Sequence, residues 1–137
     1  RMADERNFTL KIITPDRVFY EEDDVSMVEF NTIEGEVGIY KNHIPMTMII
    51  APGILTITKD DEIVEAALHA GFVEVLPEKI TILAEIIEWP AEIDVNRAEE
   101  AKERAEVRIR ENAPGTDMKR AELSLKRAVA RIQAVKN

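Results

Sequence analysis

The sequence predicts an α+β chain, an antiparallel β-sandwich or barrel followed by a two-helix antiparallel hairpin. Three observations carry this. Residues 1–89 read as short apolar runs divided by turn residues, whereas residues 90–137 carry helical periodicity. Charge divides at the same place: residues 1–89 hold 7 Lys and Arg against 18 Asp and Glu, a formal −11, and residues 90–137 hold 11 against 9, a formal +2. The break itself is Trp89-Pro90, which no helix or central strand would continue through. The expected units are therefore a β module over 1–89 and a helical arm over 90–137.

In the β module, Phe8, Leu10 and Ile12 alternate with Thr9 and Lys11, the period of a half-buried strand. Thr14-Pro15-Asp16 marks a turn. Glu21-Glu22-Asp23-Asp24 and Asp60-Asp61-Glu62 read as acidic turns; the first lacks the Gly and the terminal Glu of a calcium loop. Val25 and Met27 share one phase, Val28 and Phe30 the other, which predicts a bulge or a strand covered on both faces. Further strands are expected over 46–50, 54–59, 62–70, 72–76 and 79–87. Pro52-Gly53, Asp60-Asp61, Gly71 and Pro77-Glu78 divide them. Residues 35–46, with two glycines, a proline and several apolar side chains, read as a loop. Two readings stand for it: a contact surface, or a connection whose Ile39 and Ile44 plug the core.

In the arm, Asp94 is a good N-cap for a helix whose apolar face is Val95, Ala98, Ala101, Ala105 and Ile109. Ala113-Pro114-Gly115-Thr116 divides the two helices. The second presents Ala121, Leu125, Ala128, Ile132 and Val135 at heptad spacing, suited to an antiparallel partner. Alanine fills about half of this seam, and a methylene contributes only ~0.8 kcal/mol on burial, so the hairpin is expected to be marginal. Arg127 and Arg131 lie four apart on one face. Guanidinium forks there suit phosphates or carboxylates, and the alternative is a solvated helix surface favoured by the dipole.

Composition narrows the function classes. The 137-residue chain has no cysteine, which removes disulfides, a thiolate nucleophile and Cys-ligated metal, and fits a reducing compartment. No apolar run approaches the ~20 residues of a membrane helix. The opening Arg1-Met2-Ala3-Asp4-Glu5 lacks the apolar core of a secretion signal. A net charge of −9 argues against nonspecific nucleic-acid binding. Only His43 and His69 could act as acid–base groups near neutral pH, and neither sits in a metal or triad motif. Glu85 and Glu88 end a strand and read more readily as surface charge than as a catalytic dyad. The balance favours a binding or regulatory protein over an enzyme.

The order of motifs carries a family likeness. Gly35-Glu36-Val37-Gly38-Ile39-Tyr40 with His43-Ile44-Pro45 comes first, then Pro52-Gly53-Ile54-Leu55 and Gly71-Phe72-Val73-Glu74-Val75. Ile93-Asp94-Val95-Asn96-Arg97-Ala98 follows, ahead of the hairpin. Over nearly its whole length the chain resembles the epsilon subunit of bacterial F-type ATP synthases, in the Bacillus-type form. The resemblance implies a sandwich of about ten strands plus the hairpin, and a non-catalytic subunit of the rotor stalk. It further implies contact with the gamma subunit, the c-ring and the beta and alpha subunits of the catalytic head, peripheral to the cytoplasmic face of the cell membrane. The hairpin would bind ATP when folded, with no metal required, and would extend to inhibit ATP hydrolysis. The nucleotide residues carried over are Glu88, Ile93, Asp94, Arg97, Ala98, Arg104, Arg127 and Arg131. Glu36, Tyr40 and His43 correspond to the rotor and c-ring contact loop, where Lys41-Asn42 stands in place of the family's Pro-Gly. A free-standing nucleotide-sensing adaptor of the same layout is the alternative.

Overall fold

Strand β1 (Phe8–Ile13) buries Phe8, Leu10 and Ile12, as the alternation requires. In the computed structural model, which describes residues 5–137, it is followed by β2 (Val18–Val25), β3 (Met27–Thr32), β4 (Gly35–Ile39), β5 (Met46–Ile49), β6 (Gly53–Lys59), β7 (Glu62–Val75) and β8 (Lys79–Glu88). The opening read as lacking a secretion-signal core, Arg1-Met2-Ala3-Asp4-Glu5, lies outside the described residues except for Glu5. A 3-10 turn (Pro90–Glu92) leads to helices α1 (Val95–Glu111) and α2 (Met118–Lys136).

Eight continuous strands make ten strand segments, because β7 and β8 each serve both layers. The first part of β7 pairs with β6 and its last part with β5, while β8 follows β7 and then pairs with β1. One layer thus runs β2-β1-β8-β7-β5 and the other β8-β7-β6-β3-β4. The pairing is antiparallel except for β1 with β8, which is parallel. Expected separate strands over 62–70 and 72–76 are therefore one strand. Gly71, at φ +133, does not end it but sits in an irregularity where the register to β8 slips twice between Leu68 and Gly71. The buried set changes parity there, from Ala66 and Leu68 to Val73 and Val75. One strand can thereby face both layers of one core.

Three other local readings change. Glu21-Glu22-Asp23-Asp24 is not a turn but the middle of β2, the edge strand of its layer, where exposed charge discourages further pairing. The phase change near Val25 is the end of β2, with Ser26 bonded to Thr58 between β2 and β3. The 35–46 loop shortens to residues 40–45, since 35–39 form β4 against β3. Ile39 is in the core but Ile44 is 73 % exposed, so only one of the two plugs it. Asn42 adopts φ 66 and its N–H donates to Pro77 O at 2.7 Å, so an asparagine supplies the left-handed turn residue. Asp60-Asp61 does form a turn, with Asp60 at φ 50.

In the arm, Asp94 caps α1 and Asp117 caps α2, each accepting from the third backbone N–H onward at 3.1 Å. Left-handed Asn112 ends α1. The seam is alanine-centred: Ala98, Ala105, Ala121 and Ala128 are buried. Ala130 and Ala134 lie off this seam and are buried as well, and α2 packs on β6 and β7 in addition to α1. The hairpin is thus folded down on the sandwich. At its root Trp89 stacks on Phe19, ring centroids 4.3 Å apart, with Tyr20 edge-on at 6.2 Å.

Candidate functional site

The folded-down arm closes a cleft against the end of β8. Glu88 comes from β8, Glu92 and Ile93 from the turn, Asp94, Arg97, Ala98, Ala101 and Arg104 from the start of α1, and Arg131 from α2. The cavity is about 490 Å³. Seven of the eight carried-over nucleotide residues line it, drawn together from β8, the turn, α1 and α2. The exception is Arg127, one helical turn nearer the hairpin bend; it is half-buried and its Nε is enclosed without a hydrogen-bond partner.

The electrostatics centre on Glu88. Its Oε1 accepts from Arg131 Nε at 2.8 Å and from His69 Nε2 at 2.9 Å, so a single oxygen joins sandwich to arm. Burial pushes the Glu88 carboxyl up, but the bonds from His69 and Arg131 outweigh it and hold the group below the usual carboxylate range. Glu92 has a different task. Its Oε1 accepts from Trp89 N at 2.9 Å and Arg17 pairs with it at 3.0 Å. The Trp89 bond is the first cause of its lowered carboxyl pKa; burial opposes it, and Arg17 adds to it. Asp94 spends Oδ1 on the cap of α1 while standing at the cleft wall. The charged groups of the lining are the guanidinium groups of Arg97, Arg104 and Arg131 and the carboxylates of Glu88, Glu92 and Asp94, of which Arg131 and Glu88 are paired. Such a lining offers guanidinium donors to an anion and carboxylate acceptors to hydrogen-bond donors.

Glu92, Ala101 and His69 were missed. Ala101 falls on the helical face already read, at i+3 of Ala98, and could have been found by that spacing; Glu92, in the 3-10 turn before α1, could not. His69 could not, because its aim depends on the β7 irregularity. Among the described residues no group of three or more His, Asp or Glu is placed to hold a metal ion. Glu36, Tyr40 and His43 lie apart from the cleft. Glu36 is on β4 beside a second cavity of about 370 Å³, and Tyr40, 62 % exposed, and His43, with Nδ1 2.9 Å from Ile44 O, are in the following loop.

Residues 7–90 match the family described as ATP synthase, Delta/Epsilon chain, beta-sandwich domain, and residues 91–136 match its long alpha-helix domain. The chain belongs to the ATP synthase delta/epsilon family. Similar members include the ATP synthase epsilon chains of Halalkalibacterium halodurans, 46 % identical over 90 % of this chain and 92 % of that one, and of Caldanaerobacter subterraneus, 44 % identical over 94 % of each. That of Pediococcus pentosaceus is 40 % identical over 99 % of this chain and all of its own length. The fold is shared with a chain of the Euglena gracilis mitochondrial ATP synthase OSCP/F1/c-ring structure, with a TM-score of 0.81 at 19 % identity, covering 100 % of this chain and 85 % of that one. The sandwich-then-hairpin order of the family is the order found here, and the adaptor alternative has no support from these likenesses.

Proposed function

We propose that this chain is the epsilon-type subunit of an F-type ATP synthase rotor stalk, and that its cleft takes ATP as a regulatory ligand. The observation that carries the ligand reading is the convergence of Arg97 and Arg104 of α1 with Arg131 of α2 beside Glu88 and Asp94. The cavity's ~490 Å³ lies within the range of small-molecule sites, roughly 300–1,000 Å³. The arginines suit the phosphates, the carboxylates suit the amino and hydroxyl donors of adenosine, and Ile93, Ala98 and Ala101 offer an apolar wall.

The regulatory consequence rests on the folded-down packing of the arm. ATP touches residues of β8, α1 and α2 together, so it favours the folded-down state by its differential affinity. Released, the arm would extend toward the catalytic head and block hydrolysis. The sandwich, through the Tyr40–His43 loop and Glu36, would meet the gamma subunit and the c-ring. The subunit itself would be non-catalytic and peripheral at the cytoplasmic face of the membrane; no helix among the described residues is long and apolar enough to cross one. Calorimetric titration of the isolated chain with ATP, with amide NMR in parallel, tests the ligand. Saturable binding with shifts at Glu88, Asp94, Arg97 and Arg131 is expected; no heat and no shifts at millimolar ATP would remove the nucleotide from the proposal.

A further inference from the structure

An imidazole is buried behind the cleft. His69 is 1 % exposed and ends the run Ala66-Ala67-Leu68-His69, in which all four residues are buried. A regular strand buries alternate side chains toward one layer. Here Ala66 and Leu68 belong to the sandwich core, whereas Ala67, opposite Glu88 in register, is outside that cluster on a strand that α2 covers. The ladder slips between Leu68 and Ala70, so His69 is the extra residue of a bulge, and a bulge re-aims its side chain. Its Nε2 meets Glu88 Oε1 at 2.9 Å, and its Nδ1 is enclosed without a hydrogen-bond partner.

That is a poor use of a core position. An apolar side chain would fill the space without enclosing an unpaired ring nitrogen, which costs stability. What the imidazole adds is a bond to the carboxylate that also receives Arg131. These two bonds hold Glu88 at the cleft wall, one from the sandwich and one from the arm.

We propose that His69 is a positioning residue: it fixes the Glu88 carboxylate at the wall of the cleft, so that ligand contact and the clasp to Arg131 are set by one buried ring. The role in ligand binding rests on the nucleotide reading above; the fixing of Glu88 does not. Without the ring, Glu88 is free to turn with Arg131 or toward water. A carboxylate only accepts, so the proton of this bond must lie on Nε2.

With two histidines in the chain, imidazole 15N–1H correlation spectra of the intact protein read each ring separately. A proton on Nε2 of His69 is expected; a bare Nε2 overturns the proposal. In His69→Leu, ATP affinity should fall about tenfold to a hundredfold, the loss expected for one hydrogen bond to a charged group. The Glu88 carboxyl titration, followed by 13C NMR without nucleotide, should move up. His69→Gln, whose amide N–H reaches about as far as Nε2, should return affinity to within about threefold of the parent and return the titration downward. Parent-like affinity and an unmoved Glu88 in His69→Leu overturn the role, and so does a glutamine variant that restores neither. A parent chain that takes no ATP while Glu88 still moves in His69→Leu sinks the nucleotide reading and leaves the positioning role standing. The tautomer and the glutamine variant do not depend on the leucine variant folding.

Discussion

Glu88 is where the sandwich and the arm share an atom. Because its folded-state pKa is depressed, its contribution to docking is present above the ordinary carboxylate pKa of ~4.3 and is lost as pH falls through the lower folded value. Amide NMR should therefore show α2 leaving the sandwich as pH falls below the ordinary carboxylate range, before the sandwich unfolds; an arm that stays docked until global unfolding would deny Glu88 this part. Tyr20 behaves oppositely. Burial first, then Glu22, Asp24 and Glu62, push its phenol up to about 12. Its contribution is complete below pH ~10 and disappears as pH rises through about 12. Ultraviolet titration should find one of the chain's two tyrosines ionising at the high value. Part of the site was legible at this scale: Asp94 declared itself as a cap and Arg131 fell on a readable face, whereas Arg97 and Arg104 entered through the family likeness alone. His69 was not legible, because register slips leave no trace in composition or spacing. Gly71 was misread as a break for a similar reason. A Cβ there would collide with Leu83 O, and φ +133 disfavours any side chain. Gly71→Ala should cost about 1–3 kcal/mol from backbone strain alone, measured by chemical denaturation.

At the scale of elements, periodicity revealed what is periodic. Both helices, the Asp94 cap and β1 followed from the sequence pattern, while the Asp117 cap did not. Two strands did not: β2 carries four consecutive acids on the open edge of its layer, and β4 holds two glycines yet gains its order from pairing with β3. Strand identity in both comes from the partner, which spacing does not encode. Helix α2 shows the same limit. Its seam toward α1 was readable, but Ala130 and Ala134 on a second face were not, since alanine marks neither face. These small side chains let α2 lie close on the sheet. Ala130→Leu should cost about 1–3 kcal/mol in overpacking and lift α2 from β6 and β7. Spin labels at Glu36 and Gln133, which line one cavity, should separate, while labels at Glu99 and Lys136, whose side chains meet at 3.6 Å, should not. Equal separation in both pairs would mean the hairpin itself had opened.

For the whole molecule, the two layers close without the arm: the buried core cluster is drawn entirely from residues 8–87. A chain ending after Glu92 should keep a folded sandwich, seen by amide NMR, and in an assembled ATP synthase should leave synthesis intact while hydrolysis rises; failure to assemble would contradict the division of labour proposed here. The attachment of the arm has a mechanical consequence. Trp89 is stacked on Phe19, and Glu92 is tied to both Trp89 N and Arg17, so the chain is pinned up to the threshold of α1. Free rotation can begin only at Ile93. The arm is then a lever with a fixed fulcrum and not a tether. Its two segments, 17 and 19 residues, measure ~25 Å and ~28 Å at ~1.5 Å per residue. A swing of either segment moves its tip along an arc of that radius, and removing the last turn of α2 shortens the reach by ~5.4 Å without moving the pivot.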